Sequence, residues 1–428
     1  MIKVGLYLEN KNISDVDLSN PEEGNPGIGG TQFLFVATPY YFDKYLSNEI
    51  EFIWFANETK TLPNSITSYK SKTCIDAVKQ AEKYECDIFT WRPTNYQNEK
   101  KFLNKVKNLN IKLIAWAHNT PSYKVLNLLD ECQKVKRIVC VSKEQLDSLR
   151  DHNAFYKSTY IYNAINPKIF KPDYIKEDSY TVSYLGSIVP AKGFHELARV
   201  WPKVKEKVPG AKLVVLGSGK LYNRKQSLGK WNIAEESYEK QWRRYLANDQ
   251  GEIDDSVYFK GFVGGKEKIS LLQESQVGVV NPSGVSETFC LSAIEFQASG
   301  TPVVTGANKA LLDTVSHNNT GLLGKNDRDL VNNITRLLLD ESLANKFGEN
   351  GIKFVEDNFS FKTIVQDWYQ LFRNVHNNVP NKIESIEQNY FNDYKLLREI
   401  WRISKKYIPG LKRAPSLSEI KYKFKNLK

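Results

Sequence analysis

Apolar residues fall in short runs separated by stretches of mixed polarity, and the alternation repeats along most of the chain. Residues 4–8 form a continuous apolar run that suits a buried strand. Similar runs predict strands at 52–55, 88–91, 112–116 and 137–141. Helical spacing fills the intervals, as at 33–45, 74–83 and 145–150. Between the first strand and the first helix lies a polar loop over 9–30, ending in Gly27-Ile28-Gly29-Gly30. Strands alternating with helices imply a parallel sheet covered by helices on both faces.

The pattern breaks at 166–173, where two prolines stand among polar neighbours and mark an exit from the first domain. A second series then begins, with strands expected at 181–185, 212–216, 257–260, 277–280 and 302–305. Helices are expected near 194–208, 266–273, 289–298 and 329–339. Residues 221–254 read as an insertion carrying a helix, and 353–380 as an aromatic helical segment. The expected organisation is a domain over 1–172, a second over 173–352, a helical crossing back to the first over 353–380, and a tail over 381–428. The fold class is α/β, with two Rossmann-like domains.

Composition adds three constraints. At 428 residues, 41% of them hydrophobic, the chain can bury two cores. No apolar run reaches the roughly 18 residues of a spanning helix, and the opening residues lack the pattern of a signal peptide, so a cytoplasmic location is expected. The cysteines Cys74, Cys86, Cys132, Cys140 and Cys290 are odd in number and form no C-x-x-C pair, which argues for reduced, mostly buried thiols. The net charge of +11 sits largely in the tail, where 12 basic residues face 5 acidic ones over 381–428, a balance of +7 that leaves +4 elsewhere.

The residues richest in chemistry lie between the strands expected at 277–280 and 302–305. There Glu287 stands at the expected edge of a helix and Glu295 eight residues further on, within it. Eight helical residues span roughly 12 Å. That is too long for the paired carboxyls of a retaining glycosidase and marginal for an inverting one. It suits two carboxylates holding hydroxyls at the ends of an elongated ligand, with an anion between them on the N–H groups of Thr288, Phe289, Cys290 and Leu291. A sugar–diphosphate–ribose has that layout.

The Glu-x7-Glu spacing, followed by Gly300-Thr301-Pro302-Val303-Val304, resembles the donor motif of the family 4 type (group 1) retaining glycosyltransferases of GT-B fold. The resemblance implies two Rossmann-like domains facing a cleft, with the acceptor on the N-terminal side and the nucleotide-sugar on the C-terminal side. It implies that Glu287 touches the transferred sugar and that Glu295 binds the ribose. The family carries glycine where this chain has Thr288 and Cys290. Tyr184-Leu185-Gly186-Ser187-Ile188-Val189-Pro190-Ala191-Lys192-Gly193 is similar to the family's phosphate loop, with Lys192 on the diphosphate and Ser187 where the family has arginine. Arg224, in the neighbouring insertion, is a candidate substitute.

Weaker matches follow in chain order: Gly29 and Gly30 as a glycine-rich loop facing the donor, His118 as a strand-end histidine contacting the donor sugar, and Val263 beside the base. The resemblance covers about residues 1–375. It implies a UDP-sugar as the leading co-substrate, a glycan, lipid-linked or other cell-envelope acceptor, retention of configuration, and no obligatory metal or other cofactor.

Two other leads fail. Gly217-Ser218-Gly219-Lys220 lacks the spacing and the Ser/Thr of a P-loop, and the pairs Asp15/Asp17 and Asp327/Asp329 sit in polar loops without supporting ligands. No nucleic-acid-binding module accompanies the basic tail. Tyr390, Tyr394, Leu397 and Trp401 recur there at spacings of four, three and four. This cationic, amphipathic pattern fits peripheral contact of 390–428 with an anionic membrane, and fits equally a helix packed on the N-terminal domain. The rival readings of the whole chain are a non-catalytic nucleotide-sugar-binding subunit and a GT-B sugar-nucleotide epimerase.

Overall fold

A computed structural model describes residues 1–172, 180–219, 227–411 and 414–425. The chain forms two compact units, one of Met1–Pro21, Ile28–Asn163 and Phe361–Lys428, the other of Glu22–Gly27 and Ala164–Ser360. The change of unit at Asn163/Ala164 precedes the proline-marked break at 166–173, and the chain returns to the first unit at Phe361.

The first unit holds seven strands, β1 (Ile2–Leu8), β2 (Ile50–Ala56), β3 (Thr67–Lys70), β4 (Ile88–Trp91), β5 (Lys112–Ala117), β6 (Val135–Cys140) and β7 (Ser158–Tyr160). They form one sheet in the order β3-β2-β1-β4-β5-β6-β7, every pair parallel. β1 pairs along its whole length with β2, Ile2 opposite Ile50 and Leu8 opposite Ala56. The inner strands are nearly continuous apolar runs because helices cover both faces. The edge strand β3 is polar and partly exposed, and β7 has only three residues. Neither carries the apolar run by which the inner strands announce themselves.

The helix Gly30–Leu46 follows β1 and contains Pro39. Proline has no N–H to offer the carbonyl four residues back. The indole N–H of Trp54 supplies the missing donor, reaching the Phe35 carbonyl at 3.0 Å. A tryptophan on β2 thus compensates for a proline in the helix that covers it.

The second unit holds six parallel strands, β8 (Thr181–Leu185), β9 (Lys212–Leu216), β10 (Val257–Gly261), β11 (Val277–Val280), β12 (Val303–Gly306) and β13 (Gly321–Gly324), in the order β10-β9-β8-β11-β12-β13. Its core is built on Val182, Tyr184, Phe194, Trp201, Trp242 and Val279. Entry and exit of this unit lie side by side, since Ile165 donates to the Phe359 carbonyl at 2.9 Å.

Counted from each unit's first strand, the second sheet runs 3-2-1-4-5-6 and the first 3-2-1-4-5-6-7, the doubly wound order of dinucleotide-binding folds with one strand added at the edge of the first. In that order the crossovers depart in opposite directions from strands 1 and 4, and the carboxyl ends of those strands border a crevice where ligands bind. Among the described residues no helix is long and apolar enough to cross a membrane. The five cysteines are free thiols, four of them buried and Cys74 partly so.

Candidate functional site

In the second unit the crevice lies beyond β8 and β11. The loop after β8 is laid down by backbone contacts between adjacent strand ends. Gly186 N–H donates to the Leu216 carbonyl at 3.1 Å, and Gly217 N–H to the Gly261 carbonyl at 2.8 Å. A Cβ at Gly217 would lie 1.9 Å from the Gly186 carbonyl oxygen, so this approach requires glycine. The loop ends in a single helical turn, Pro190–Lys192, closed by Gly193 at φ 68°. A side chain at Gly193 would be both left-handed and within 2.8 Å of the Ser283 N–H. The loops after β8 and β11 are therefore packed backbone to backbone.

That packing brings two expected site residues together. Lys192 Nζ donates to Glu287 Oε2 at 2.8 Å, with Glu287 almost buried and Lys192 a quarter exposed. Asn281 Nδ2 donates to the same carboxylate oxygen at 3.0 Å. The other end of the Asn281 amide accepts from Ser283 Oγ at 2.9 Å and from the Gly284 N–H at 3.1 Å. One buried amide thus shapes the turn after β11 and fixes the carboxylate that follows it. The carboxylate in turn holds an ammonium group that an anionic ligand could recruit.

The helix carrying Glu295 spans Leu291–Ala298 and does not begin at residue 289. Glu287 therefore stands in an irregular loop before the helix, and the 12 Å figure for a continuous helix does not describe this pair of acids. The reason lies in burial. Phe289 turns inward, edge-on to Phe359 at 5.5 Å between centroids, and Cys290 is buried with non-helical backbone angles. Burial raises the Cys290 thiol far above its ordinary range, which keeps it protonated. The helix-start donors are those around Leu291, since Thr288 and Phe289 lie ahead of the first turn.

Glu295 is buried and pairs with Lys268 Nζ at 2.8 Å. The same ammonium lies 5.7 Å from the centre of the Phe170 ring. Each glutamate of the motif thus has its own lysine. Val263, partly exposed, lies between β10 and the helix Gly265–Gln273 that presents Lys268. Ser187 is buried, and its carbonyl accepts from the Val189 N–H at 3.0 Å, so it serves the loop's own fold. Arg224 lies outside the described residues.

The remaining expected residues belong to the first unit. Gly29 precedes the first turn of Gly30–Leu46, and its carbonyl accepts from the Phe33 N–H at 3.1 Å. His118 follows the carboxyl end of β5, buried between Phe35 and Trp116 with ring centroids at 5.7 and 4.6 Å. Burial, aided by the positive charge of Arg92, lowers its pKa to about 3, so the imidazole is neutral near pH 7.

Sequence reasoning missed Asn281 and Lys268. Asn281 opens the stretch in which the glutamates lie, and only its left-handed backbone (φ 33°) and buried bonds reveal its part. Lys268 left a signal. Lys266 and Lys268 stand in the first turn of a helix, where the macrodipole disfavours cations, and a lysine placed there needs a carboxylate partner.

Residues 166–354 match the family model of the glycosyl transferases, group 1. An uncharacterized glycosyltransferase of Methanocaldococcus jannaschii is 27% identical over 234 residues, 51% of this chain and 54% of that protein. The capsular polysaccharide biosynthesis glycosyltransferase CapM of Staphylococcus aureus is 27% identical over 205 residues, 46% of each chain. The chain spans about half the length of the curated relatives it matches. Among solved structures, Anabaena HepE in complex with UDP superposes with a TM-score of 0.62 at 14% identity, covering 87% of this chain and all of that one. The fold is the GT-B arrangement of two Rossmann-like units.

Proposed function

We propose that this chain, with its group 1 glycosyl transferase segment on a GT-B fold, is a retaining, metal-independent hexosyl-type glycosyltransferase. In this reading it works in the cytoplasm and moves a sugar from a nucleotide-sugar, a UDP-sugar first among them, to a glycan, glycolipid or other cell-envelope acceptor. The observation that carries the reading is the ion pair Lys192–Glu287 at the crevice between β8 and β11, one turn of chain ahead of a helix start. The match to the group 1 family model and the likeness to CapM support the reaction class and the kind of acceptor. The likeness to a UDP-bound structure supports the base.

The residues divide the work as follows. Glu287 accepts from the hydroxyls of the transferred sugar, and Glu295 from those of the ribose. Lys192 turns from Glu287 to the diphosphate, joined by the N–H donors around Leu291, and this positive charge grows in value as the phosphate leaves. Val263 lines the base. Gly29, Gly30 and the neutral His118 are assigned to the sugar by their resemblance to the family's motifs. The acceptor oxygen attacks the anomeric carbon on the face from which the phosphate departs. The carbon–phosphate-oxygen bond breaks, its electron pair leaves with the diphosphate, and a phosphate oxygen takes the acceptor's proton.

The test is a panel of UDP-, GDP-, ADP- and CDP-sugars with a chelator present, read by melting temperature and by slow sugar release. A shift confined to one base, with release of sugar of unchanged anomeric configuration, is the expected result. No shift with any donor would discard the enzyme reading in favour of a subunit that has lost its donor site.

A further inference from the structure

The helix Lys395–Tyr407 is packed with its charged face inward. Lys395, Arg398, Arg402 and Lys405, at spacings of three, four and three, are its buried residues. Lys395 Nζ reaches Glu144 at 2.6 Å and Asp147 at 3.0 Å. Arg398 pairs with Asp151 at 2.6 Å and donates to the Ser148 carbonyl. Arg402 pairs with Glu399 and lies over the Phe155 ring at 5.3 Å, while Lys405 donates to the Asp151 carbonyl at 2.6 Å. These partners on the first unit fix the helix's rotation about its axis.

The consequence is on the other side. Leu396, Leu397, Ile400, Ile403 and Tyr407 all point to solvent, Ile400 53% and Tyr407 70% exposed. Aromatic and apolar residues flank the stripe at both ends, with Phe391 85% exposed before the helix and Ile408 exposed after it. The last helix, Leu417–Lys425, adds exposed Tyr422 and Phe424 alternating with Lys421 and Lys423. A soluble chain rarely leaves such a stripe uncovered without a partner for it.

Charge selects the partner. The tail's surplus of basic residues is only partly spent on the inward bonds and on the Lys423–Glu419 pair, and Lys406 and Lys421 are exposed beside the apolar residues. In a symmetric contact with a second copy, these lysines would face their own images. An anionic lipid surface instead supplies their counter-charge. It also accepts leucine and isoleucine among the acyl chains, and tyrosine rings at headgroup level. We propose that the outward face of Lys395–Tyr407, with its aromatic flanks, docks on the surface of an anionic lipid bilayer. None of its residues belongs to the Lys192–Glu287 site, so the proposal stands apart from the transfer reaction.

The test is co-sedimentation of the full chain with vesicles of phosphatidylcholine alone or with about one third phosphatidylglycerol, at low and high salt. The chain is expected to pellet with the anionic vesicles at low salt and to stay in the supernatant with the neutral ones. The triple variant Leu397→Glu, Ile400→Glu, Tyr407→Glu removes only exposed side chains, so its melting temperature should be unchanged. Its bound fraction should fall roughly tenfold or more. Wild-type protein that ignores anionic vesicles, or a triple variant that still binds them, would overturn the proposal. So would a dimer that dissociates on the triple substitution without any vesicle binding, which would assign the face to a second copy.

Discussion

At the scale of single residues, the site is a matter of how many donors one carboxylate receives. Glu287 Oε2 takes a charged donor from Lys192 and a neutral one from Asn281. The two should separate by experiment. Lys192→Ala removes the cation proposed to meet the leaving diphosphate, and should lower kcat by about 10²–10³ while leaving the fold intact. Asn281→Leu leaves the lysine but strips the turn of its acceptor and the carboxylate of its second donor. It should cost about 1–3 kcal/mol of stability by denaturant titration, and raise KM more than it lowers kcat. Equal kinetic losses in both variants would mean that Asn281 does more than position Glu287. Of this constellation, Glu287, Glu295 and Lys192 stood out in the sequence as charged residues beside glycine and proline in a pattern that resembles a family motif, and the structure pairs Lys192 with Glu287. Asn281 and Lys268 act through bonds that only the folded loops create.

At the scale of elements, legibility followed burial. The inner strands Ile88–Trp91, Thr181–Leu185, Lys212–Leu216 and Val277–Val280 lie where the apolar runs predicted them, because a strand covered on both faces must be apolar throughout. The edge strands β3, β7 and β13 lay below that signal. The tail misled in a different way. The spacing from Tyr390 to Trp401 suggests one helix with an aromatic seam, yet Asp393 and Tyr394 adopt left-handed backbone angles and the helix starts at Lys395. Periodicity identifies two faces but cannot say which one is buried, and here acids on the neighbouring element decide it. Asp151 is the keystone of that choice, fully buried and bonded to Arg398 and to the Leu417 N–H. Asp151→Asn removes the carboxylate that Arg398 meets at 2.6 Å and leaves it only Asp393, 3.9 Å away and partly exposed, a change that costs on the order of 1–3 kcal/mol. The expected outcome is selective release of the tail, seen as rapid proteolysis between 377 and 395 with the melting of the second unit unchanged. Resistance equal to wild type would show that the remaining inward cations hold the helix alone.

At the scale of the whole molecule, stability responds to pH through groups that the fold has stripped of water, and these are concentrated in the first unit. Burial is the leading cause for both His118, lowered to about 3, and His152, lowered to about 4. In the unfolded chain each takes a proton below about pH 6.5. Between that value and the folded pKa the unfolded state holds the extra proton. The stability of the neutral histidine is therefore complete above about 6.5 and drains away as the pH falls through the window. Glu99 and Glu144, whose pKa values burial raises, work in the opposite sense, losing stability as the pH rises past the ordinary carboxylate range. The wild-type curve alone therefore mixes the two, and the informative quantity is a difference. Replacing His118 with asparagine, which cannot be protonated, should remove about 2 kcal/mol from the loss of unfolding free energy between about pH 7 and about pH 5. The starting stability of the variant does not enter, since only the slope is compared. Parallel pH curves for wild type and His118→Asn would mean that the imidazole is protonated in the native state at pH 5. The ring between Phe35 and Trp116 would then be wetter than its burial implies, with a native pKa near the ordinary value of about 6.5, so that charged and neutral His118 would coexist near pH 7.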